Sequence, residues 1–429
     1  MMDIYLGLGS NLGDRRGNLQ SAVSALQREG IEVLQLSPAV ESPALLPAGA
    51  QPDWNRPFLN AVVRCATRLS PEAALERIKR IEARFGRPLD GPRWAPRPID
   101  IDILLWGREL IHTAKLEVPH PGLTSRSFVL TPLTALAPRL TIPGRGPITV
   151  LGFSRALRHR IPLWMGIVNL TPDSFSDGGE LLEWECLEAR VDAMLEAGAQ
   201  LIDLGAESTR PGAEPLDAHQ EWSRLEPALL RLLDKLADVP LRPLVSVDTY
   251  HAGVARRALE AGADLINDVS GLTAQGMLEL AASSGKDWIA MHNVTVPADH
   301  AATLPPDRDP AEALRQWIDE RLEQWTAAGI SLERIIFDPG IGFGKNPLQS
   351  LALLRNVDAF SPPELRVLVG HSRKSFMKSF APRSKEEKDL VTVGASLNLC
   401  AQGIDILRVH DVPAHVAAYR GWAHLLPSD

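Results

Sequence analysis

The sequence predicts a two-domain α/β protein, with an N-terminal ferredoxin-like α+β sandwich followed by a C-terminal (β/α)8 TIM barrel. The chain has 429 residues, whereas one domain usually has about 100–200. The first 160 residues mix a few strands and helices, and eight short apolar segments recur at regular spacing after Pro162. Eight such segments with helical stretches between most of them are typical of a (β/α)8 barrel.

In the first domain, residues 3–8, 58–65 and 99–106 have the apolar composition of strands. Residues 15–29 and 71–85 have the spacing of helices, and Pro71 suits a first helical turn. This order predicts an α+β sandwich of ferredoxin-like type.

Proline and glycine are frequent in residues 138–162, and the composition changes there. We interpret this segment as a linker and expect domains 1–158 and 159–429.

The eight predicted barrel strands are residues 163–168, 201–204, 244–247, 265–266, 288–291, 335–337, 367–369 and 406–409. Polar residues follow each of them directly. Catalytic groups in this fold collect at the carboxyl ends of the strands, where the βα loops form one mouth. Polar residues without a function would be scattered over both ends, so we expect one active site at this mouth.

Charge and cysteine content exclude several classes of protein. The net charge is -8 and the isoelectric point is about 5.8, whereas a nucleic-acid or membrane-surface binder needs a basic excess. Three cysteines lie far apart without metal-binding spacing, which fits a reducing compartment. No apolar run approaches the roughly 18 residues of a membrane span, and no signal peptide is recognisable. We therefore expect a cytoplasmic protein.

Cationic residues of the barrel mouth suit an anionic ligand. Lys374 follows Ser372 and Arg373, and two cations beside a helix start suit a pyrophosphate. Arg408 and His410 are two apart on the last strand and share one face. Arg210 follows Thr209 in a glycine- and proline-containing loop that would close over a reacting anion.

Short acceptors at three strand ends, Asp248, Asn267 and Asp338, suit the amide-and-amine edge of a heterocycle. Taken singly, an Asp after a strand is as often a helix cap. The set as a whole favours a binding site.

Two motifs of the barrel carry a family resemblance: residues 165–179 read MGIVNLTPDSFSDGG, and residues 202–212 read IDLGAESTRPG. They resemble the signatures of dihydropteroate synthase, and the resemblance extends over residues 163–429. It implies that 4-aminobenzoate displaces pyrophosphate from 6-hydroxymethyl-7,8-dihydropterin pyrophosphate. It also implies a homodimer formed through the barrel.

The same resemblance implies the roles of individual residues. Asn169 matches a Mg²⁺ ligand. Pterin-pocket positions are matched by Asp248, Asn267, Met291, Asp338, Phe343, Gly370 and Lys374. Pyrophosphate contacts are matched by Thr209, Arg210, Arg408 and His410. Positions around the aminobenzoate are matched by Thr171, Pro172, Phe175 and Ser208.

In the first domain, Asp100 and Asp102 are two apart on an apolar strand, so their carboxylates emerge on one face. Paired carboxylates hold hard cations such as Mg²⁺ that carry nucleotide phosphates. The alternative is the solvent side of an exposed strand. Nearby cationic residues favour phosphate binding instead; they are Arg87, Arg93, Arg97, His120 and Arg126.

The opening YLGLGSNLGDR, residues 5–15, is glycine-rich but lacks the Gly-Lys-Ser/Thr ending of a P-loop. Together with RWAPRPIDIDIL, residues 93–104, it resembles 6-hydroxymethyl-7,8-dihydropterin pyrophosphokinase over about residues 3–150. The resemblance implies pyrophosphate transfer from ATP, with two Mg²⁺ ions on Asp100 and Asp102. It places Arg87, Arg97, His120 and Arg126 on phosphates and Glu82 on the nucleotide side. It assigns the pterin pocket to Ser42, Pro43, Leu45, Phe58, Asn60, Trp94 and Phe128.

Two alternatives stay open at this point. Pterin-binding barrels also occur in methyltransferases that serve a corrinoid protein, although these would not need the cations at 372–374 and 408–410. One of the two domains could instead be a degenerate binding module. The intact pair of Asp100 and Asp102 argues against the second alternative.

Overall fold

The structure is a computed structural model that describes residues 1–86, 92, 94–170, 179–207, 216–296, 299, 302–380 and 384–426. It divides into two compact units. One consists of Met1–Ile161 with Val239–Leu241 and His424–Asp429, and the other comprises Pro162–Asp238 and Arg242–Ala423. Among the described residues, no helix is long and apolar enough to cross a membrane.

The first unit is built on an antiparallel sheet. Its strands are β1 (Met2–Ser10), β2 (Ile31–Leu36), β3 (Val40–Ser42), β4 (Phe58–Thr67) and β5 (Asp100–Trp106), with a separate pair β6 (Ile111–His112) and β7 (Glu117–Val118). Its helices are α1 (Arg15–Arg28), α2 (Pro71–Arg84), α3 (Ser127–Leu136) and α4 (Val150–Ala156). The sheet order is β2-β4-β1-β5, with β3 paired to β4. This order with α1 and α2 as crossovers is the predicted ferredoxin-like sandwich.

Apolar side chains cover both faces of this sheet. One cluster includes Leu19 and Leu26 of α1 and Ile78 of α2, and a second includes Leu133 of α3 and Val150 of α4. The helices begin where capping residues allow. Ser70 accepts a hydrogen bond from the backbone N–H of Ala73 at the start of α2, as the pattern with Pro71 predicts.

The predicted linker is largely folded. Helix α4 lies within residues 138–162, and Ile142, Val150 and Leu151 are buried in the first unit. Thr141 and Thr149 form a β-bridge. The prolines and glycines of this segment therefore shape turns around a packed helix, and their frequency alone does not distinguish such turns from a linker.

The second unit is a closed parallel barrel, as predicted. Its strands are β8 (Leu163–Asn169), β9 (Leu201–Gly205), β10 (Leu244–Asp248), β11 (Leu265–Asp268), β12 (Asp287–Met291), β13 (Ile335–Asp338), β14 (Arg366–Val369) and β15 (Ile406–Val409). Each strand pairs with its neighbour in sequence, and β15 closes on β8. The surrounding helices are α5 (Gly179–Ala197), α6 (Ala218–Leu236), α7 (Ala252–Ala261), α8 (Met277–Ser284), α9 (Pro310–Ala327), α10 (Pro347–Arg355), α11 (Lys385–Ala401) and α12 (Val412–His424).

Candidate active sites

The cleft of the first unit has a flat floor made by two glycines of β1. Gly9 pairs with Asn60 of β4 on one side and with Asp100 of β5 on the other. Gly7 pairs in the same way with Val62 and Asp102. Because these residues alternate along their strands, both rows face the same side of the sheet. The glycine-rich opening therefore supplies a floor between a polar wall and a carboxylate wall, a role that sequence reasoning missed.

All predicted pterin-pocket residues of the first domain lie in the lining of this cleft. They are Ser42, Pro43, Leu45, Phe58, Asn60, Trp94 and Phe128, and Arg97, Asp100, Asp102 and Arg126 join them. The empty space of the cleft, including solvent at its mouth, is about 780 Å³.

Asn60 offers the cleft a fixed acceptor. Its Nδ2 donates to Ser42 Oγ at 3.0 Å and to the carbonyl oxygen of Val40 at 3.4 Å. Its Oδ1 lies over the floor, 3.4 Å from where a Cβ at Gly9 would be. A side chain at position 9 would therefore crowd the amide oxygen, and glycine keeps this acceptor accessible.

Asp100 and Asp102 differ in how closely a cation approaches each carboxylate. Arg97 Nη1 lies 3.3 Å from Asp100 Oδ2. The cationic candidate nearest to Asp102 is His120, whose Nε2 is 3.9 Å from Asp102 Oδ2, but burial and Arg126 lower the pKa of His120. Burial and the charge of Asp100 raise the pKa of Asp102 to about 6. A cation bound here would relieve this repulsion, so the donor set fits Mg²⁺.

Asn11 holds the backbone of Arg97 at two points. Its Oδ1 accepts from the N–H of Arg97 at 2.7 Å, and its own N–H donates to the carbonyl oxygen of Arg97 at 3.2 Å. Asn11 is buried. Sequence reasoning missed this contact, because the two residues lie 86 positions apart.

Glu82 lies within the fold beneath β5. It is buried, and its Oε1 accepts from the backbone N–H of Ile101 at 3.0 Å while its Oε2 binds Lys79 at 2.8 Å. It does not belong to the residues that line the cleft. Its contacts hold the strand between the two aspartates in place. Arg87 and Arg93 lie outside the described residues.

At the barrel mouth, Arg408 of β15 joins two aspartates. Its Nε donates to Asp203 Oδ2 at 2.6 Å and its Nη2 donates to Asp248 Oδ2 at 2.7 Å. Asn267 Nδ2 donates to the same oxygen of Asp203 at 3.1 Å. Sequence reasoning missed Asp203. The signal available was its position on β9, two residues before Gly205, which puts both residues on one face of the strand.

Asp248 keeps an acceptor oxygen for a ligand. Burial raises the pKa of its carboxyl group, and Arg408 opposes this rise. Within the described part of the chain, Asp248 Oδ1 is buried and has no hydrogen-bond partner. A buried acceptor without a partner costs about 1–3 kcal/mol. A bound donor would remove this cost.

Another part of the mouth is formed by Asp338, Lys374 and Phe343. Asp338 Oδ1 accepts from the N–H of Gly340 at 2.7 Å, and Lys374 Nζ lies 4.4 Å from the centre of the Phe343 ring. Burial lowers the pKa of Lys374 to about 8, and Asp338 opposes the decrease. This wall therefore offers an acceptor, an amine and an aromatic surface side by side.

Gly370 and Met291 shape the space between these walls. A Cβ at Gly370 would lie 3.6 Å from Asp338 Oδ2 and 3.8 Å from Arg408 Cδ. Glycine therefore leaves room between the acid and the guanidinium group. Met291 ends β12, pairs with Asp338 and is buried.

The described residues of the predicted anion site differ in their contacts. His410 Nδ1 lies 2.9 Å from Ser372 Oγ. Arg373 binds Asp389 of α11 through Nε at 2.6 Å and Nη2 at 2.9 Å. This bidentate pair commits Arg373 to α11, so Lys374 is the cation of residues 372–374 that contacts the pocket wall.

Asn169 ends β8 opposite Gly205, on the predicted rim of the mouth. The remaining predicted loop residues lie outside the described residues; they are Thr171, Pro172, Phe175, Ser208, Thr209 and Arg210.

Glu207 begins a further polar network that sequence reasoning did not single out. Its Oε1 accepts from Tyr250 Oη at 2.9 Å and from the N–H of Leu216 at 3.2 Å. His251 Nδ1 lies 3.8 Å from Glu207 Oε2 and 2.8 Å from Glu221 Oε2. The hydrogen bond that His251 makes to the Glu221 carboxylate raises the pKa of His251. These contacts join the residues after β9 and β10 to the first turn of α6.

Models of two known protein families match this chain. A model described as pterin binding enzyme matches residues 165–410. A model described as 7,8-dihydro-6-hydroxymethylpterin-pyrophosphokinase matches residues 5–138.

Whole-chain and structural relatives agree with these matches. A folate synthesis bifunctional protein of Chlamydia trachomatis is 37% identical over 447 aligned residues, covering 98% of this chain and 98% of that protein. A dihydropteroate synthase structure of Xanthomonas albilineans with 4-aminobenzoic acid is 36% identical with a TM-score of 0.56, covering 62% of this chain and 94% of that one. A dihydropteroate synthase structure of Anaplasma phagocytophilum with bound 6-hydroxymethylpterin-monophosphate is 34% identical with a TM-score of 0.55, covering 62% and 99%.

Proposed function

The chain belongs to the family of bifunctional folate synthesis proteins, and from this premise we propose which residues perform its two reactions. The protein is a 6-hydroxymethyl-7,8-dihydropterin pyrophosphokinase and a dihydropteroate synthase. The first reaction uses ATP and forms the pterin pyrophosphate. The second joins this product to 4-aminobenzoate and releases pyrophosphate.

In the first unit, the pterin ring lies on the floor of Gly7 and Gly9 and stacks between Phe58 and Phe128. The accessible Oδ1 of Asn60 accepts a hydrogen bond from the ring. Both aromatic rings and both carboxylates line the same cleft, and this supports the proposal. The ring position leaves the pterin hydroxymethyl group to face Asp100 and Asp102.

Asp100 and Asp102 would hold two Mg²⁺ ions, which would neutralise the phosphates of ATP when bound. Arg97 and Arg126, both in the cleft lining, bind phosphate oxygens, and His120 stands beside Asp102. We propose the same phosphate-binding role for Arg87 and Arg93 on the basis of the sequence alone. Fixed cations around the transferred group orient it and stabilise the charge that develops in the transition state.

In the barrel, the unpartnered Oδ1 of Asp248 is the observation that carries our assignment of the pterin site. Asp248, Asn267 and Asp338 bind the amide-and-amine edge of the pterin, and Lys374 and Phe343 form another part of its pocket. Met291 and Gly370 line the space between. A pterin N–H bound to Asp248 Oδ1 would satisfy the buried acceptor.

The departing pyrophosphate is held by Arg408 and His410, together with Thr209 and Arg210. Asn169 would contribute to one Mg²⁺ site that neutralises this anion when occupied. Thr171, Pro172, Phe175 and Ser208 enclose the 4-aminobenzoate and exclude water. The chain thus stabilises the leaving group, and the amine attacks the pterin methylene without a covalent enzyme intermediate.

We further propose the domain limits 1–158 and 159–429, a cytoplasmic location and a homodimer formed through the barrel. The division into compact units near residue 161 supports the limits. The cysteines are free, with Cys65 and Cys400 buried, which fits a reducing compartment. The dimer rests on the family resemblance.

Two incubations test the proposed function. The protein is supplied with hydroxymethyl-dihydropterin, ATP, Mg²⁺ and labelled 4-aminobenzoate, and we expect labelled dihydropteroate together with AMP. A second incubation supplies the pterin pyrophosphate directly. Absence of labelled product in the second incubation would contradict the assignment of the barrel, whereas its absence in the first alone would contradict the assignment of the cleft.

A further inference from the structure

Lys345 is a buried lysine in the loop after β13. The residue is 6% exposed. Nζ donates to the carbonyl oxygens of Phe343 at 2.9 Å and His292 at 3.4 Å, and lies 2.8 Å from His292 Nδ1. In the ranges that the structure describes, Lys345 forms no ion pair with a carboxylate. Burial lowers the pKa of Lys345, and a buried amine is costly unless hydrogen-bond partners surround it. Three partners on two segments surround it here.

These partners join the end of β12 to the loop after β13. Burial lowers the pKa of His292, and a neutral imidazole can accept a hydrogen bond from Lys345 at Nδ1. Gly340 and Gly344 have φ of +64° and +61°. A Cβ at Gly340 would collide with the carbonyl oxygen of His292. The loop therefore packs directly on the strand end, and Lys345 closes the junction from inside.

Phe343 connects this junction to the pterin wall. Its carbonyl oxygen accepts from Lys345, and its ring lies 4.4 Å from Lys374 Nζ. Its N–H donates to the carbonyl oxygen of Gly340 at 2.9 Å, and the N–H of Gly340 in turn donates to Asp338 Oδ1. Movement of Phe343 would therefore displace the aromatic surface and the contact of Lys374 together.

We propose that Lys345 is a positioning residue for pterin binding, which acts by fixing Phe343 against Lys374. This inference rests on the proposed pterin site of the barrel. Lys345 itself touches neither substrate in this role. Its loss should therefore weaken the binding of the pterin pyrophosphate and leave the 4-aminobenzoate site nearly unchanged.

The test compares Lys345→Met with wild type in the full chain, with pre-made pterin pyrophosphate as substrate. We expect the KM for the pterin substrate to rise about tenfold, with kcat and the KM for 4-aminobenzoate changed by less than about threefold. Lys286→Met, at an exposed lysine, is the matched control and should equal wild type. An equal rise in both KM values, or no change, would overturn the proposal.

Lys345→Gln keeps one donor for the Phe343 carbonyl group and perturbs folding less. We expect a pterin KM between those of wild type and Lys345→Met, about threefold above wild type. An unchanged pterin KM in this variant also overturns the proposal, even when Lys345→Met does not fold. Lack of activity in wild type would instead contradict the proposed function itself.

A double variant tests whether the effect passes through Phe343. Phe343→Leu alone should raise the pterin KM, and adding Lys345→Met to it should raise the KM by less than about twofold further. If the two effects multiply, Lys345 does not act through Phe343, and the proposed route is wrong.

Discussion

At the scale of single residues, the two sites compensate buried carboxylates in different ways. Asp203 and Asp248 share the guanidinium group of Arg408 within the protein. Among the described residues, Asp102 lies 3.9 Å from His120, whose pKa is lowered by burial, and Lys79 and Arg126 partly oppose the rise in the pKa of Asp102. The barrel aspartates thus have a close counter-charge within the protein, whereas the charge of Asp102 is less fully compensated, as its raised pKa shows.

This difference predicts a pH dependence for Mg²⁺ binding to the cleft. The pKa of Asp102 is raised to about 6, so protons compete with the metal below that pH. We expect the apparent Mg²⁺ affinity to be constant above about pH 7 and to fall as pH decreases through 6, approaching tenfold per pH unit. Calorimetric titration with Mg²⁺ in the absence of nucleotide measures it.

Asp102→Asn is the control for this titration. It should bind Mg²⁺ more weakly at neutral pH and lose most of the change around pH 6. An affinity of the wild-type protein that is the same at pH 5.5 and 7.5 would contradict the assignment of the metal site to Asp102.

At the scale of elements, helix starts place functional side chains. Asp217 caps α6 by accepting from the N–H groups of His219 and Gln220, and Gln220 completes the capping box. Four residues on, Glu221 faces Thr249 and His251. The cap therefore determines where the first turn of α6 meets the residues that follow β10.

We expect Asp217→Ala to lower the free energy of unfolding of the barrel by about 1 kcal/mol, because the first-turn N–H groups lose their acceptor. Thermal unfolding followed by calorimetry should show a lower Tm. Glu226→Ala, at an exposed position in the same helix, should change the free energy by less than about 0.5 kcal/mol. Equal effects of the two substitutions would contradict the capping role.

At the scale of the whole molecule, one chain carries two pterin sites on two unrelated folds. The antiparallel sheet presents its pterin floor through strand pairing, with glycines between Asn60 and Asp100. The barrel presents its pterin site through convergent strand ends. Because the two proposed sites use different residues on different folds, we expect the activities to be separable by substitution.

Asp100→Ala should reduce AMP formation at least about 100-fold, because a metal ligand and the partner of Arg97 are lost. The same variant should form dihydropteroate from pre-made pterin pyrophosphate at the wild-type rate. Lys374→Ala should show the reverse pattern. Both rates are measured on the same preparations, so each variant is the control for the other, and loss of both activities in either one would contradict separability.

How far the sequence predicts this molecule differs between its parts. The period of apolar residues predicts every barrel strand, and the spacing of Asp100 and Asp102 predicts their common face. Strands β2 and β3 were not predicted, because they are short or lack a regular pattern of apolar residues. The linker prediction for residues 138–162 was wrong in part, because the burial of Val150 and Leu151 depends on tertiary packing.

The sequence by itself determined the fold class, the faces of the strands and the chemistry available at their ends. These follow from local periodicity and from residue types, which a single segment contains. Tertiary structure alone decided which groups act together: Asn11 with Arg97, Lys345 with His292, and Arg408 with Asp203, which lie 205 positions apart. Such pairings depend on distances that arise only when strands far apart in sequence close into one sheet or barrel.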